Sequence, residues 1–224
     1  MNVILLGATG MVGQGVLREC LLDPEVKSVL TIGRSATGQK HEKLKEIVHN
    51  DLFDLSAIAG PLLGCDACFF CLGVSAVGMK EEEYRRVTYD LTISVAGALS
   101  KLNPTMTFIY VSGANTDSTE RGRMMWARVK GQTENALSRM PFKAVYMFRP
   151  GYIQPLHGIR TKTKWYRAFY AMMGPLYPLW KLLIPKYVTT TECIGRAMLS
   201  VAKRGARKSV LENQDINSIC RDGS

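Results

Sequence analysis

Met1-Asn2-Val3-Ile4-Leu5-Leu6-Gly7-Ala8-Thr9-Gly10-Met11-Val12-Gly13 opens the chain, and its reading decides the fold. Val3–Leu6 is an unbroken apolar run of strand length, the shape of a strand buried on both faces. Three glycines at spacing three follow at once. Met11–Leu22 then sets Val12, Val16 and Cys20 four residues apart on one helical face. A strand that turns on glycines directly into a helix brings backbone N–H groups and the positive end of the helix dipole to one point, and glycine lets an anion approach that backbone closely. Gly7, Thr9, Gly10, Met11, Val12 and Gly13 are therefore the expected cradle for the pyrophosphate of a dinucleotide.

The same alternation continues outward. Further strands are expected at Val26–Gly33, Ile47–His49, Ala67–Leu72, Thr105–Ser112 and Ala144–Arg149. Helical patterns occupy Glu81–Lys101 and Arg123–Met140, and a last one, Glu192–Lys203, follows the capping series Thr189–Thr191. Strand and helix alternating at this spacing imply an α/β fold, a Rossmann-type doubly wound parallel sheet covered on both faces. The 224 residues suit one NAD(P)-binding domain over 1–224, with a dinucleotide-binding core in 1–150 and a small C-terminal substrate-side appendage in 151–224.

The composition excludes several classes. With 46% hydrophobic and 21% charged residues the chain is not disordered, collagen-like or an integral membrane protein. The net charge of +10 is uneven: residues 1–156 carry +2 and residues 157–224 carry +8. Three readings fit that basic third, in which His157, Arg160, Lys162, Lys164, Trp165, Tyr166 and Arg167 fall close together: a solvated cover over the cleft, a guide for a small anionic substrate, or a peripheral membrane contact with anionic lipid. No nucleic-acid-binding motif accompanies it, so DNA and RNA are not expected partners. Trp165–Pro185 is apolar, yet Arg167, Lys181 and the prolines at 175, 178 and 185 rule out an uninterrupted spanning helix. The first six residues lack a basic signal-peptide region, which suggests a cytoplasmic protein, and the six cysteines then read as reduced thiols. Cys65, Cys68 and Cys71 have the spacing of a metal site, but a strand would put Cys65 and Cys71 on one face and Cys68 on the other, so no metal is expected.

Past the glycines the second strand ends at Gly33-Arg34-Ser35. A carboxylate there would bind the ribose 2′-hydroxyl of NAD, whereas a guanidinium matches a 2′-phosphate; Arg34 and Ser35 thus favour NADP(H) over NAD(H). At this point the chain resembles the short-chain dehydrogenase/reductase superfamily in its extended or atypical branch. The resemblance implies an adenine contact at Asp51-Leu52, a cofactor contact at Cys71-Leu72-Gly73, the site serine at Ser112, and a nicotinamide-side loop at Arg149-Pro150-Gly151. Val129-Lys130-Gly131-Gln132-Thr133-Glu134, Phe148-Arg149-Pro150-Gly151 and Val210-Leu211-Glu212-Asn213-Gln214-Asp215-Ile216 resemble the oxidoreductase-like group related to the human HIV Tat-interacting protein, a resemblance that implies NADPH binding. The resemblance further implies a homodimer paired through the long Glu81–Lys101 and Arg123–Met140 helices.

The superfamily's chemistry runs on Tyr-x-x-x-Lys, whose spacing places both groups on one helical face. Here the corresponding residues are Trp126 and Lys130. An indole N–H donates a hydrogen bond but does not ionise usefully, so Trp126 cannot replace a phenol as acid or base. Three accounts stand open: another residue supplies the proton, with Tyr152 and His157 nearest in sequence, a water supplies it, or the protein binds NADPH without turnover. Ser112 would polarise a carbonyl. The expected activity is hydride exchange with a small carbonyl or alcohol; the alternative is a non-catalytic NADPH-binding regulator.

Overall fold

The computed structural model describes residues 1–159 and 183–222. Arg160, Lys162, Lys164, Trp165, Tyr166, Arg167 and most of the Trp165–Pro185 stretch lie outside the described residues.

Strand β1 (Asn2–Leu6) leads through the glycine turn into α1 (Met11–Leu22), followed by β2 (Ser28–Gly33) and β3 (Leu44–Val48). The chain continues through a short helix α2 (Ala59–Leu62), β4 (Ala67–Phe70), α3 (Glu81–Arg85), a π-helical stretch (Arg86–Asp90) and α4 (Leu91–Leu102). Then come β5 (Thr107–Val111), α5 (Met125–Leu137), β6 (Ala144–Arg149), β7 (Tyr152–Gln154) and β8 (Val188–Thr190). The described chain closes with α6 (Thr191–Arg204), β9 (Val210–Glu212) and α7 (Asn213–Asp222).

Seven strands form one sheet in the order β3-β2-β1-β4-β5-β6-β9, every neighbouring pair parallel. The order reverses direction between β1 and β4, where open α/β sheets bind ligands outside the strands' carboxyl ends. Side-chain alternation sends Val3 and Leu5 to one face and Ile4 and Leu6 to the other. The first face packs against α1, α6 and α7 through Val16, Leu17, Ile194, Met198 and Ile216. The second packs against α4 and α5 through Val95, Leu99 and Leu137. Burial on both faces explains why the interior strands β1, β4 and β5 read as near-continuous apolar runs, whereas the edge strand β3 is largely exposed. The expected Rossmann-type doubly wound fold is therefore the observed one.

Several particulars differ from the expectations. Glu81–Lys101 is not one regular helix, because the π-helical stretch at Arg86–Asp90 interrupts it. β9 joins the main sheet beside β6, and β7 pairs with β8 in a separate two-stranded ribbon. The strand expected at Ile47–His49 runs instead over Leu44–Val48, and β7, β8 and β9, at three residues each, carry too little periodicity to be recognised in isolation.

The cysteines also need correction. Because β4 begins at Ala67, alternation never reaches Cys65, which joins Cys68 on the α4–α5 face while Cys71 packs on the other. Burial pushes all three thiols above their ordinary range. Cys193 in the first turn of α6 and Cys220 in the last turn of α7 approach to a Cα separation of 5.3 Å and form a disulfide, so the reading of six reduced thiols is wrong for this pair.

Candidate functional site

The glycine turn is built by close approach of backbones. Gly7 has φ +84°, and a Cβ placed on it would lie 2.6 Å from the carbonyl carbon of Cys71, just past the end of β4. A Cβ on Gly13 would lie 2.1 Å from the Gly7 carbonyl oxygen. The Gly10 amide donates to that same oxygen at 2.9 Å, closing the turn. Gly10 is also the N-cap of α1 and offers no side chain to its first-turn amides. The helix terminus therefore presents backbone N–H groups at the carboxyl ends of β1 and β4, and a pyrophosphate fits that cradle.

A cleft of about 580 Å³ opens there, within the usual size of small-ligand sites. Gly10, Met11 and Val12 form one wall, Cys71–Gly73 and Ser112 the floor, and Trp126, Lys130, Pro150 and Gly151 the far side. Residues from five separate parts of the chain thus meet in one place. Arg34 and Ser35 stand exposed at the carboxyl end of β2, outside this lining but beside β1, whose Leu6 is in register with Ile32. Asp51 is exposed and its carboxylate accepts the Phe53 amide at 3.0 Å, while Leu52 is buried against the α4 side. Thr9 accepts the Gln14 side-chain amide on its carbonyl oxygen at 3.2 Å.

Behind the cleft lies a buried charged network. Ser112 Oγ is 2.5 Å from Glu134 Oε1 and 3.2 Å from the Phe148 carbonyl oxygen, so its single proton has two acceptors within the protein. Arg149 donates from Nε to Glu134 Oε1 at 3.0 Å and from Nη2 to Oε2. The Glu134 side chain is only 3% exposed and that of Arg149 11%, which makes this a buried, bidentate ion pair. Arg149 also reaches Ser118 Oγ at 2.5 Å and Glu212 Oε1 at 3.1 Å. Lys130, one turn before Glu134 on α5, donates from Nζ to the Ser112 carbonyl oxygen. Burial draws the Lys130 ammonium down to about 8, with the Glu134 charge opposing the fall.

The other expected site residues separate. Trp126 and Lys130 share the cleft side of α5, as a spacing of four requires. Tyr152 does not line the cleft; its hydroxyl donates to Gln154 Oε1 at 2.9 Å, and its neighbour Ile153 is the β7 residue facing inward. His157 lies in a different groove of about 410 Å³ along α1, where its Nε2 is 2.6 Å from Glu192 Oε2. That hydrogen bond holds the Glu192 carboxyl below its usual range. Glu134 was not among the expected site residues. Its place four residues after Lys130 was readable, but its contacts with Ser112 and Arg149 span three elements.

The model of the NAD dependent epimerase/dehydratase family matches residues 3–120 of this chain. "Protein fmp52, mitochondrial" from Emericella nidulans is 25% identical over 216 residues, covering 93% of this chain and 90% of its own. Protein HTATIP2 from Rattus norvegicus is 26% identical over 226 residues, covering 99% and 90% respectively. The solved dTDP-glucose 4,6-dehydratase DesIV from Streptomyces venezuelae, a double mutant with NAD bound, superposes with a TM-score of 0.69 over 99% of this chain and 80% of that one. At 14% identity that likeness bears on the fold alone. The relatives overturn the expectation of a cytoplasmic protein, since the fungal ones, including FMP52 of Saccharomyces cerevisiae, carry mitochondrial in their names.

Proposed function

The chain belongs to the NAD dependent epimerase/dehydratase family, and from that premise we propose that it binds NADP(H) in preference to NAD(H) and acts as an oxidoreductase on a small carbonyl or alcohol. The observation that carries this reading is the convergence of the glycine turn, Lys130 and the Pro150–Gly151 loop on one cleft. A bound nicotinamide dinucleotide supplies the two-electron chemistry. The chain's own part is to hold, orient and handle the proton. Amides of Met11 and Val12 at the start of α1 take the pyrophosphate, Arg34 takes the 2′-phosphate, and Lys130 takes a ribose hydroxyl. Trp126 gives the substrate an apolar wall with one N–H donor. The relatives' names carry over as a mitochondrial location, which fractionation of cells expressing the tagged chain tests.

Arg34 is exposed, so its pairing with a phosphate is worth what a charge-assisted contact gives, about 1.5–3 kcal/mol. Calorimetry is expected to show NADPH binding tighter than NADH, and Arg34→Ala to reduce the preference by roughly 10- to 100-fold. Equal affinities in the unmodified protein would remove the 2′-phosphate assignment.

A second reading, an NADPH-binding regulator without turnover, draws on two observations: the tyrosine position holds Trp126, and the Ser112 proton is directed to Glu134 or Phe148. Trp126→Tyr separates the two. Restoring a phenol beside Lys130 is expected to raise carbonyl reduction by about 10-fold or more, within the usual worth of a positioned acid. No gain, with NADPH binding intact, speaks for the binding protein.

A further inference from the structure

We propose that Lys130 itself is the proton donor of this cleft, in place of the missing tyrosine. The proposal rests on the hydride-transfer reading above and names the group that this reading leaves open.

It follows from what surrounds the cleft among the described residues. Trp126 has no usable ionisation. Ser112 has one proton and two internal acceptors, Glu134 and the Phe148 carbonyl. Cys71 lines the cleft, but burial holds its thiol far too high to exchange protons near neutrality. Tyr152 is turned to Gln154, and His157 lies in the α1 groove with Glu192. Lys130 remains. Its Nζ carries three N–H bonds, one of them directed to the Ser112 carbonyl oxygen, which fixes the head group beside Trp126 at the cleft wall. Burial lowers this ammonium to about 8, where an acid is both protonated at neutral pH and able to give its proton up.

The charged groups around Lys130 belong to several elements. Glu134 of α5 is the anion that opposes its loss of charge, and Glu134 is itself paired with Arg149 of β6, which also reaches Glu212 of β9. Ser112 of β5 contributes a carbonyl dipole, and Cys71 beyond β4 is a neutral thiol. Glu134 is thus the positioning residue: it holds the Ser112 hydroxyl away from the cleft and keeps Lys130 protonated.

In the direction of reduction, one N–H bond of the ammonium breaks and one O–H bond of the product alcohol forms. Nζ keeps the electron pair as a neutral amine, and solvent returns the proton. The two-electron equivalent at the carbonyl carbon comes from the nicotinamide dinucleotide. In the reverse direction the neutral amine accepts the alcohol proton. Reduction therefore needs the form present below the Lys130 pKa, so its rate is level below about pH 8 and falls above it. Oxidation rises through the same pH.

The first test needs no turnover. Competitive labelling of the full-length protein with acetic anhydride from pH 6 to 11, read by mass spectrometry, is expected to show Lys130 titrating near 8, well below the value of about 10.4 for a lysine in a model peptide. Glu134→Gln keeps an acceptor for Ser112 and is expected to move the Lys130 inflection to lower pH by about one unit. The second test is reduction of 4-nitrobenzaldehyde by NADPH. Lys130→Met is expected to lower kcat by about 100-fold or more. Lys130→Arg keeps the charge but cannot release a proton, so it stays slow and loses the inflection. Glu134→Gln shifts the inflection in the same direction as the labelling, which a merely structural role would not do. The melting temperature and circular dichroism spectrum of each variant show that it is folded, and kcat is read at saturating NADPH.

Lys130 titrating near 10, or Lys130→Met reducing the aldehyde within about threefold of the unmodified protein, overturns the proposal and leaves the hydride-transfer reading standing. An unmodified protein that binds NADPH, labels Lys130 near pH 8 and reduces no aldehyde overturns the hydride-transfer reading, and the proposal with it.

Discussion

Alanine at position 13 is expected to abolish measurable NADPH binding and to cost about 3 kcal/mol of stability or more. The new Cβ would sit 2.1 Å from the Gly7 carbonyl oxygen, 2.6 Å from its carbonyl carbon and 2.9 Å from the Ala8 Cα. All three are backbone atoms, so no side chain can rotate out of the way. Relief requires α1 to withdraw from the end of β1, and that movement opens the turn whose amides the proposed function assigns to the pyrophosphate. For a domain of this size the melting temperature should fall by roughly 2–4 °C per kcal/mol. Gly97 supplies the control. It lies inside α4 with nothing within 4 Å of the place a methyl group would take, so Gly97→Ala is expected to stabilise by about 0.5–1 kcal/mol through helix propensity. The same substitution thus has opposite signs at two helical glycines. Binding retained by Gly13→Ala in a calorimeter would show that the turn does not hold the nucleotide.

Glu134→Ala is expected to be at least as damaging, by about 3–5 kcal/mol in urea denaturation, because it strands a buried guanidinium and removes an acceptor from Ser112. Arg149 retains Glu212, but that partner is half exposed and offers less. The loss belongs to the broken pair rather than to a large intrinsic stabilisation by it. Replacing both partners with apolar residues, Glu134→Leu with Arg149→Met, should therefore cost less than the sum of the single changes. A loss below about 1 kcal/mol for Glu134→Ala would show that Glu212 and Ser118 suffice to compensate Arg149.

Different parts of the molecule were legible to different degrees. The glycine turn could be read because each of its requirements is local: a strand before it, a helix after it, and no Cβ between. Five longer strands and three of the helical patterns were legible for the same reason, since apolar periodicity records which faces are buried; the polar edge strand β3 and the interrupted Glu81–Lys101 helix were read less well. β9 was not legible, because three residues hold no period and its place rests on pairing with β6, far away in the chain. Nor was the disulfide, since Cys193 and Cys220 are brought together only when α6 and α7 cross. At the site, Trp126 and Lys130 were readable as one helical face. The positions of Tyr152 and His157 were not, because proximity in sequence to Pro150-Gly151 says nothing about which way a three-residue strand turns its side chains.

The sequence by itself determined the doubly wound parallel fold, the glycine turn and the pairing of Trp126 with Lys130 on α5. These follow from torsional freedom, side-chain period and steric size, which act over a few neighbouring residues. Only the tertiary structure decided which ionisable groups meet. It directed the Ser112 proton inward to Glu134, bound Arg149 across β6 to that same carboxylate, and left Lys130 at the cleft wall with its charge poised near 8. Burial and charge-to-charge distance set those properties, and both are created when distant segments pack together.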